Sequence, residues 1–124
     1  MPTTHDMSSY ATFDSFTTER FDPSGVTVRA HGELDIANAP VLRQCLTEEV
    51  DAGAQRMVVD LTGVTFMDSV ALAVVLHFRR RLGDDRLAVV IQDDSYARLI
   101  FDISGIAQTL TLVPTVEAAV AATI

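Results

Sequence analysis

The sequence predicts an α/β domain with the element order ββαβαβαβα. Its central sheet is mostly parallel, with an N-terminal antiparallel edge strand and helices packed against it. Three observations carry this. The runs Met57-Val58-Val59 and Leu87 to Ile91 are continuously apolar, as strands buried on both faces are. Between the strands lie segments whose apolar residues recur every three or four positions, the helical period. Glycine, proline and aspartate fall at the joints between them. Alternation of this kind implies right-handed crossovers between parallel strands.

The elements follow in order. Residues 1–11 are polar and without period, which predicts a flexible N-terminal tail, so that the domain itself spans 12–124. From Ala11 to Phe21 apolar and polar residues loosely alternate around Phe13, Phe16 and Phe21, which predicts an edge strand. Asp22-Pro23-Ser24-Gly25 is a turn, and Val26 to His31 reads as the antiparallel partner. Gly32-Glu33-Leu34-Asp35 breaks that strand. Asn38 is placed to cap a first helix, with Pro40 in its first turn and Gly53 closing it. Met57 to Asp60 is a buried strand, and Thr62-Gly63 turns the chain. A second helix starts at Ser69, carries its face on Leu72, Val75, Leu76, Arg79 and Leu82, and gathers Arg79 to Arg81 in its last turn, where the helix dipole favours cations. Leu87 to Ile91 is the next strand. Asp93-Asp94 cap a third helix that ends at Ser104-Gly105. Leu110 to Val113 is the last strand, and Thr115 caps an alanine-rich final helix.

Composition excludes several function classes. The 124 residues suit one domain, large enough for a core without disulfides or metals. Net charge is −8, and all nine basic residues are arginine. An acidic surface repels nucleic acid and anionic membranes. Without lysine there is no Walker A phosphate clamp and no Schiff base. The single cysteine, Cys45, rules out an internal disulfide and reads as a core thiol. Met1 to Tyr10 has no basic flank or apolar run, and no stretch approaches a membrane helix. The expected location is the cytoplasm. His5, His31 and His77 have no metal-ligand partner at a recognised spacing, so neither a metal nor a cofactor is expected.

Chemistry in such folds gathers where the carboxyl ends of the strands meet their following loops. The segments Gly32 to Asn38, Asp60 to Ser69 and Gln92 to Ser95 share that edge, which brings Asp35, Asp60, Asp68 and Ser69 to one side. With Asp68 as N-cap, Ser69 opens the second helix, close to backbone N–H groups that lack intrahelical partners. A phosphate there would meet those donors and the positive end of the dipole. Asp60, ending a buried strand, is similar to the acceptor of a response-regulator receiver, but the receiver's lysine and acidic pair are missing. No G-x-S-x-G supports a serine hydrolase. Phe66 and Met67 read as core plugs.

Three motifs in order resemble one family. Gly32-Glu33-Leu34-Asp35 followed by Ala39-Pro40-Val41-Leu42-Arg43 resembles the first signature of the STAS domain, named for sulphate transporters and anti-sigma factor antagonists. Asp60 to Ser69 (DLTGVTFMDS) resembles its central D-L-S-x-V-x-F-M-D-S-S-G-L. Leu99 to Ile106 (LIFDISGI) resembles its later L-x-x-L-x-x-S-G-L segment. The match runs from about Phe13 to Ala122.

The resemblance implies the STAS fold and, for a stand-alone member, an anti-sigma factor antagonist that is itself no enzyme. It implies phosphorylation at Ser69 by an anti-sigma factor with a histidine-kinase-like ATPase domain, reversed by a serine phosphatase. The unphosphorylated form would bind that anti-sigma factor. Asp35, Asn38, Asp68, Ser69, Val70 and Leu72 are the expected partner-binding residues, and the expected state is a monomer. The family's D-S-S-G-L is Asp68-Ser69-Val70-Ala71-Leu72 here, so the acceptor is kept while the second serine and the glycine are replaced. That departure leaves open a constitutive interaction module, in a signalling assembly or beside a transporter, with no working switch. A sensor binding nucleotide or an anion at the Ser69 helix end is the third class.

Overall fold

The computed structural model describes residues 16–83 and 85–124. The expected tail, with His5, and the part of the expected first strand that holds Phe13 lie outside the described residues. The elements are β1 (Phe16–Asp22), β2 (Gly25–Leu34), α1 (Ala39–Asp51), β3 (Arg56–Met67), α2 (Ser69–Leu82), β4 (Leu87–Val90), α3 (Tyr96–Ser104), β5 (Thr111–Val113) and α4 (Val116–Ala122). They form one five-stranded sheet in the order β1-β2-β3-β4-β5. β1 and β2 pair antiparallel and all other neighbours are parallel.

The two faces of the sheet are covered differently. Val26, Val28, Met57, Val59, Leu87 and Val89 point to one face, where they pack with Leu42 and Leu46 of α1, Val75 and Phe78 of α2, and Phe101 of α3. Val58, Ala88 and Val90 point the other way, onto Ala119 of α4. Where α4 does not reach, the second face is polar. There Arg29 Nε donates to Asp60 Oδ2 at 3.2 Å, and Asp60 Oδ1 accepts from the Thr62 N–H at 3.0 Å and the Thr62 hydroxyl at 2.7 Å. Asp60 is buried, and both its oxygens are hydrogen-bonded.

Two expected breaks do not occur. β2 continues past Gly32 to Leu34, and β3 continues past Thr62-Gly63 to Met67. The pairing runs Arg29 with Asp60, then His31 with Gly63, then Gly32 with Val64, then Glu33 with Phe66. β3 thus contributes one extra residue at each of two bulges, and the strands bend without separating. Gly32 adopts φ 81°, a conformation that favours glycine at such a bulge. Gly63 is needed for space: a Cβ there would lie 2.7 Å from His31 Nδ1 and 3.1 Å from the Ala30 carbonyl oxygen. A glycine read as a turn therefore marks a close approach inside a strand.

The bulges reset the alternation of β3. Its core-facing residues are Met57, Val59, Leu61, Val64 and Met67, at intervals of two, two, three and three. The two shifts cancel beyond Val64, so Met67 has the parity of Met57 and is buried, while its neighbour Phe66 points to the opposite face and is 44% exposed. The expectation of two core plugs holds for Met67 and is corrected for Phe66. At α3 the capping residue is Ser95, whose hydroxyl accepts the Arg98 N–H at 3.1 Å, rather than Asp93 or Asp94.

Candidate functional site

The extensions of β2 and β3 end together, so the β2–α1 loop and the start of α2 are neighbours. Asp68 joins them. Its Oδ1 accepts the N–H groups of Val70 at 3.0 Å and Ala71 at 3.1 Å, capping α2. Its Oδ2 accepts the N–H of Ile36 at 3.0 Å, across to the β2–α1 loop. Its own N–H donates to the Leu34 carbonyl at 3.1 Å. One carboxylate thus satisfies three backbone donors on two segments.

Residues 35–38 close on themselves. Asp35 Oδ1 accepts the Ala37 N–H at 2.9 Å. Asn38 Oδ1 accepts the Asp35 N–H at 2.8 Å, and Asn38 Nδ2 donates to the Glu33 carbonyl at 2.6 Å. Asn38 stands at the N-cap position of α1, but its side chain makes no capping bond. It reaches back to the loop instead, so its expected capping role is replaced by one of shaping the loop that carries Asp35 and Ile36.

Ser69 is the first residue of α2 and is exposed, and among the described residues nothing holds its hydroxyl. Val70 beside it is 41% exposed and Ile36 is 68% exposed. Ala71 is fully buried, so the methyl that replaces the family's glycine faces the core rather than any visitor to Ser69. Leu72 is likewise buried. It supports the site from beneath and has no surface to offer. Asp60 does not join the cluster. It lies eight residues before Asp68 along β3, on the order of 25 Å at the usual rise per residue. Of the four residues expected on one edge, the structure brings together Asp35, Asp68 and Ser69.

A groove between α1 and α2 opens beside Ser69, lined by Ile36, Ala39, Pro40, Arg43, Val70 and Val74. Its volume of about 300 Å³ is at the low end for small-molecule sites. It is mostly apolar and suits side chains of a partner better than a ligand. Sequence reasoning missed Ile36 and Arg43. An isoleucine amid the polar loop residues Asp35 and Asn38 was the available signal for the first.

Two N–H groups at the start of α2 are already taken by Asp68, so a phosphate on Ser69 would have to compete for them. Among the described residues no group of three His, Cys, Asp or Glu side chains is placed to hold a metal ion. No helix among them is long and apolar enough to cross a membrane. Cys45, on α1, is partly buried, and its thiol pKa is pushed up to about 11 by burial and then by Glu49 and Glu48.

Comparison with known proteins decides the family. The family model described as the STAS domain matches residues 16–119. The chain belongs to the STAS domain family. Among similar STAS proteins is the anti-sigma-F factor antagonist RsfA of Mycobacterium tuberculosis, 37% identical over 106 residues, covering 81% of this chain and 80% of RsfA. Among solved structures, an anti-sigma factor antagonist from Mycobacterium paratuberculosis superposes with a TM-score of 0.75 at 30% identity, covering 89% of this chain and 95% of that one. The unphosphorylated anti-sigma factor antagonist SpoIIAA superposes with a TM-score of 0.70 at 24% identity, covering 85% and 92%. It shares the STAS fold.

Proposed function

We propose that this STAS domain is an anti-sigma factor antagonist of the cytoplasm, bound to an anti-sigma factor when Ser69 is free and released when Ser69 is phosphorylated. The single observation that carries the reading is the placement of Ser69. Its hydroxyl is exposed at the first residue of α2, beside two carboxylates and the apolar side chains of Ile36 and Val70. The names of its relatives support the binding role. The chain is then the substrate of a kinase rather than a catalyst. The kinase is the anti-sigma factor itself, through a histidine-kinase-like ATPase domain, and a serine phosphatase resets the switch.

The physics of the switch is charge. Phosphorylation adds about −1.5 to −2 charges beside Asp35 and Asp68. At about 5 Å and an effective dielectric of 20, each added charge repels a partner's carboxylate by roughly 3 kcal/mol. Half of that after screening weakens binding about tenfold. Asp68 already occupies two of the helix-end donors, so the helix end offers the phosphate less compensation than an uncapped one would.

Titration calorimetry with the cognate anti-sigma factor tests this. Wild type and Ser69→Ala should bind alike, and Ser69→Glu at least tenfold more weakly. A second reading, the constitutive module, draws on Val70, an exposed apolar residue where the family pattern has a serine. Equal affinity of Ser69→Glu and wild type would favour it over the switch.

A further inference from the structure

A second groove lies on the other side of Ser69: Phe66 and Met67 line it, just before Asp68-Ser69, where Val70 and Val74 line the first. The nine residues of α3 are apolar on two sides. Ala97 and Phe101 are buried against the sheet. Tyr96, Leu99 and Ile103, spaced i, i+3 and i+7, lie along one outward stripe and are 70%, 49% and 72% exposed. A surface helix normally needs one apolar stripe, the one that faces its core. Here the outer stripe continues onto Phe66, and a groove runs between Phe66 and Met67 on one side and Tyr96, Leu99 and Ile103 on the other. On the opposite flank of the same ridge, another groove is lined by Asp93, Asp94 and Asp102 together with Tyr96 and Leu99. The ridge is therefore apolar along its crest and acidic along one side. Arg98 pairs with Asp93 and Asp102, both at 3.1 Å, which leaves the three aspartates and this arginine a net charge of −2.

We propose that the outer face of α3, with Phe66, is a docking surface for a basic amphipathic segment of a protein partner, distinct from the groove between α1 and α2 on the other side of Ser69. Charge selects the occupant. Any pairing of two copies through this face sets one chain of net charge −8 against another, and an antiparallel isologous pairing also brings the two acidic flanks together. An anionic membrane surface would be repelled by the same three aspartates. A segment with apolar residues on one side and arginine or lysine at its edge satisfies both the crest and the flank.

Nitrogen-15 NMR of the full chain tests the proposal, with two synthetic amphipathic helical peptides as probes. Both carry leucine on one face; one carries arginine and the other glutamate on the polar face. The arginine peptide should shift the amides of Phe66 and of Tyr96 to Ser104, in wild type and in Ser69→Glu alike. Its affinity should fall at least tenfold in Leu99→Asp/Ile103→Asp, and severalfold in Asp93→Asn/Asp94→Asn, a pair of exposed positions whose change leaves the crest intact. The glutamate peptide should leave these amides unmoved. Any of three results overturns the proposal: no shift at α3, shifts spread over the other carboxylates and unchanged by the variants, or equal binding of both peptides. Concentration-dependent shifts at α3 without peptide would overturn it in favour of a second copy as the occupant.

Discussion

Asp68 sits where three structural demands meet, and its substitution separates them. Asp68→Ala removes the cap of α2 and the tie to Ile36 together. Loss of a cap costs about 1 kcal/mol. Asp68→Ala should therefore lower the urea unfolding free energy by about 1–2 kcal/mol, and Asp68→Asn, which keeps an acceptor oxygen, by less. The amide of Ile36 should lose hydrogen-exchange protection in the alanine variant. If its protection matched wild type, the carboxylate would not be what joins the two segments. Cys45 gives a second residue-scale expectation. A thiol pKa of about 11 against an ordinary 9.0 cuts the thiolate fraction at neutral pH by about 100-fold, so iodoacetamide should label native protein that much more slowly than unfolded protein. For stability the sign follows from the protons: between pH 9 and 11 the folded state holds a proton on Cys45 that the unfolded state has lost. Its contribution to stability is complete below pH 9 and disappears as pH rises towards 11.

At the scale of elements, β3 decides where the site lies. It runs on from Asp60, its last pairing with β4, to Met67, and its two bulges bring Val64 rather than Gly63 or Thr65 into the core. Gly63→Ala should cost about 1–2 kcal/mol, because the new methyl must push the His31 ring and crowd the Ala30 carbonyl. His31→Ala should relieve part of that cost, which a double-mutant cycle in urea would detect as a favourable coupling. Additive losses would place the strain on the backbone alone. These bulges also explain the limits of the sequence. A continuous apolar run such as Met57 to Val59 declares a buried strand, and Thr115 or Gly105 declares a helix boundary. The two bulges, by contrast, depend on which β2 residue faces which β3 residue, information that no local pattern holds. Thr62-Gly63 therefore read as a turn, and, with no strand expected beyond it, Phe66 read as core beside Met67 although strand neighbours point to opposite faces. Ser69 and its cap Asp68 were legible because capping is local chemistry. The contact from Asp68 to Ile36 was not, since it spans 32 residues.

For the whole molecule, the helices α1, α2 and α3 share one core against the sheet, with Phe78 at its centre and fully buried. Phe78→Ala should cost about 3–5 kcal/mol. Domains of this kind have about 5–15 kcal/mol in all, so the loss would be plain in a thermal melt. The same frame holds Ser69 at a fixed point on an acidic chain, where an added phosphate changes charge more than shape. Intact-mass spectrometry after incubation with the cognate anti-sigma factor kinase and Mg-ATP is the direct test of the proposed switch at Ser69. The wild type should gain one phosphate and Ser69→Ala none. A phosphate that persists in Ser69→Ala, or an unmodified wild type in stable complex with that kinase, would contradict it.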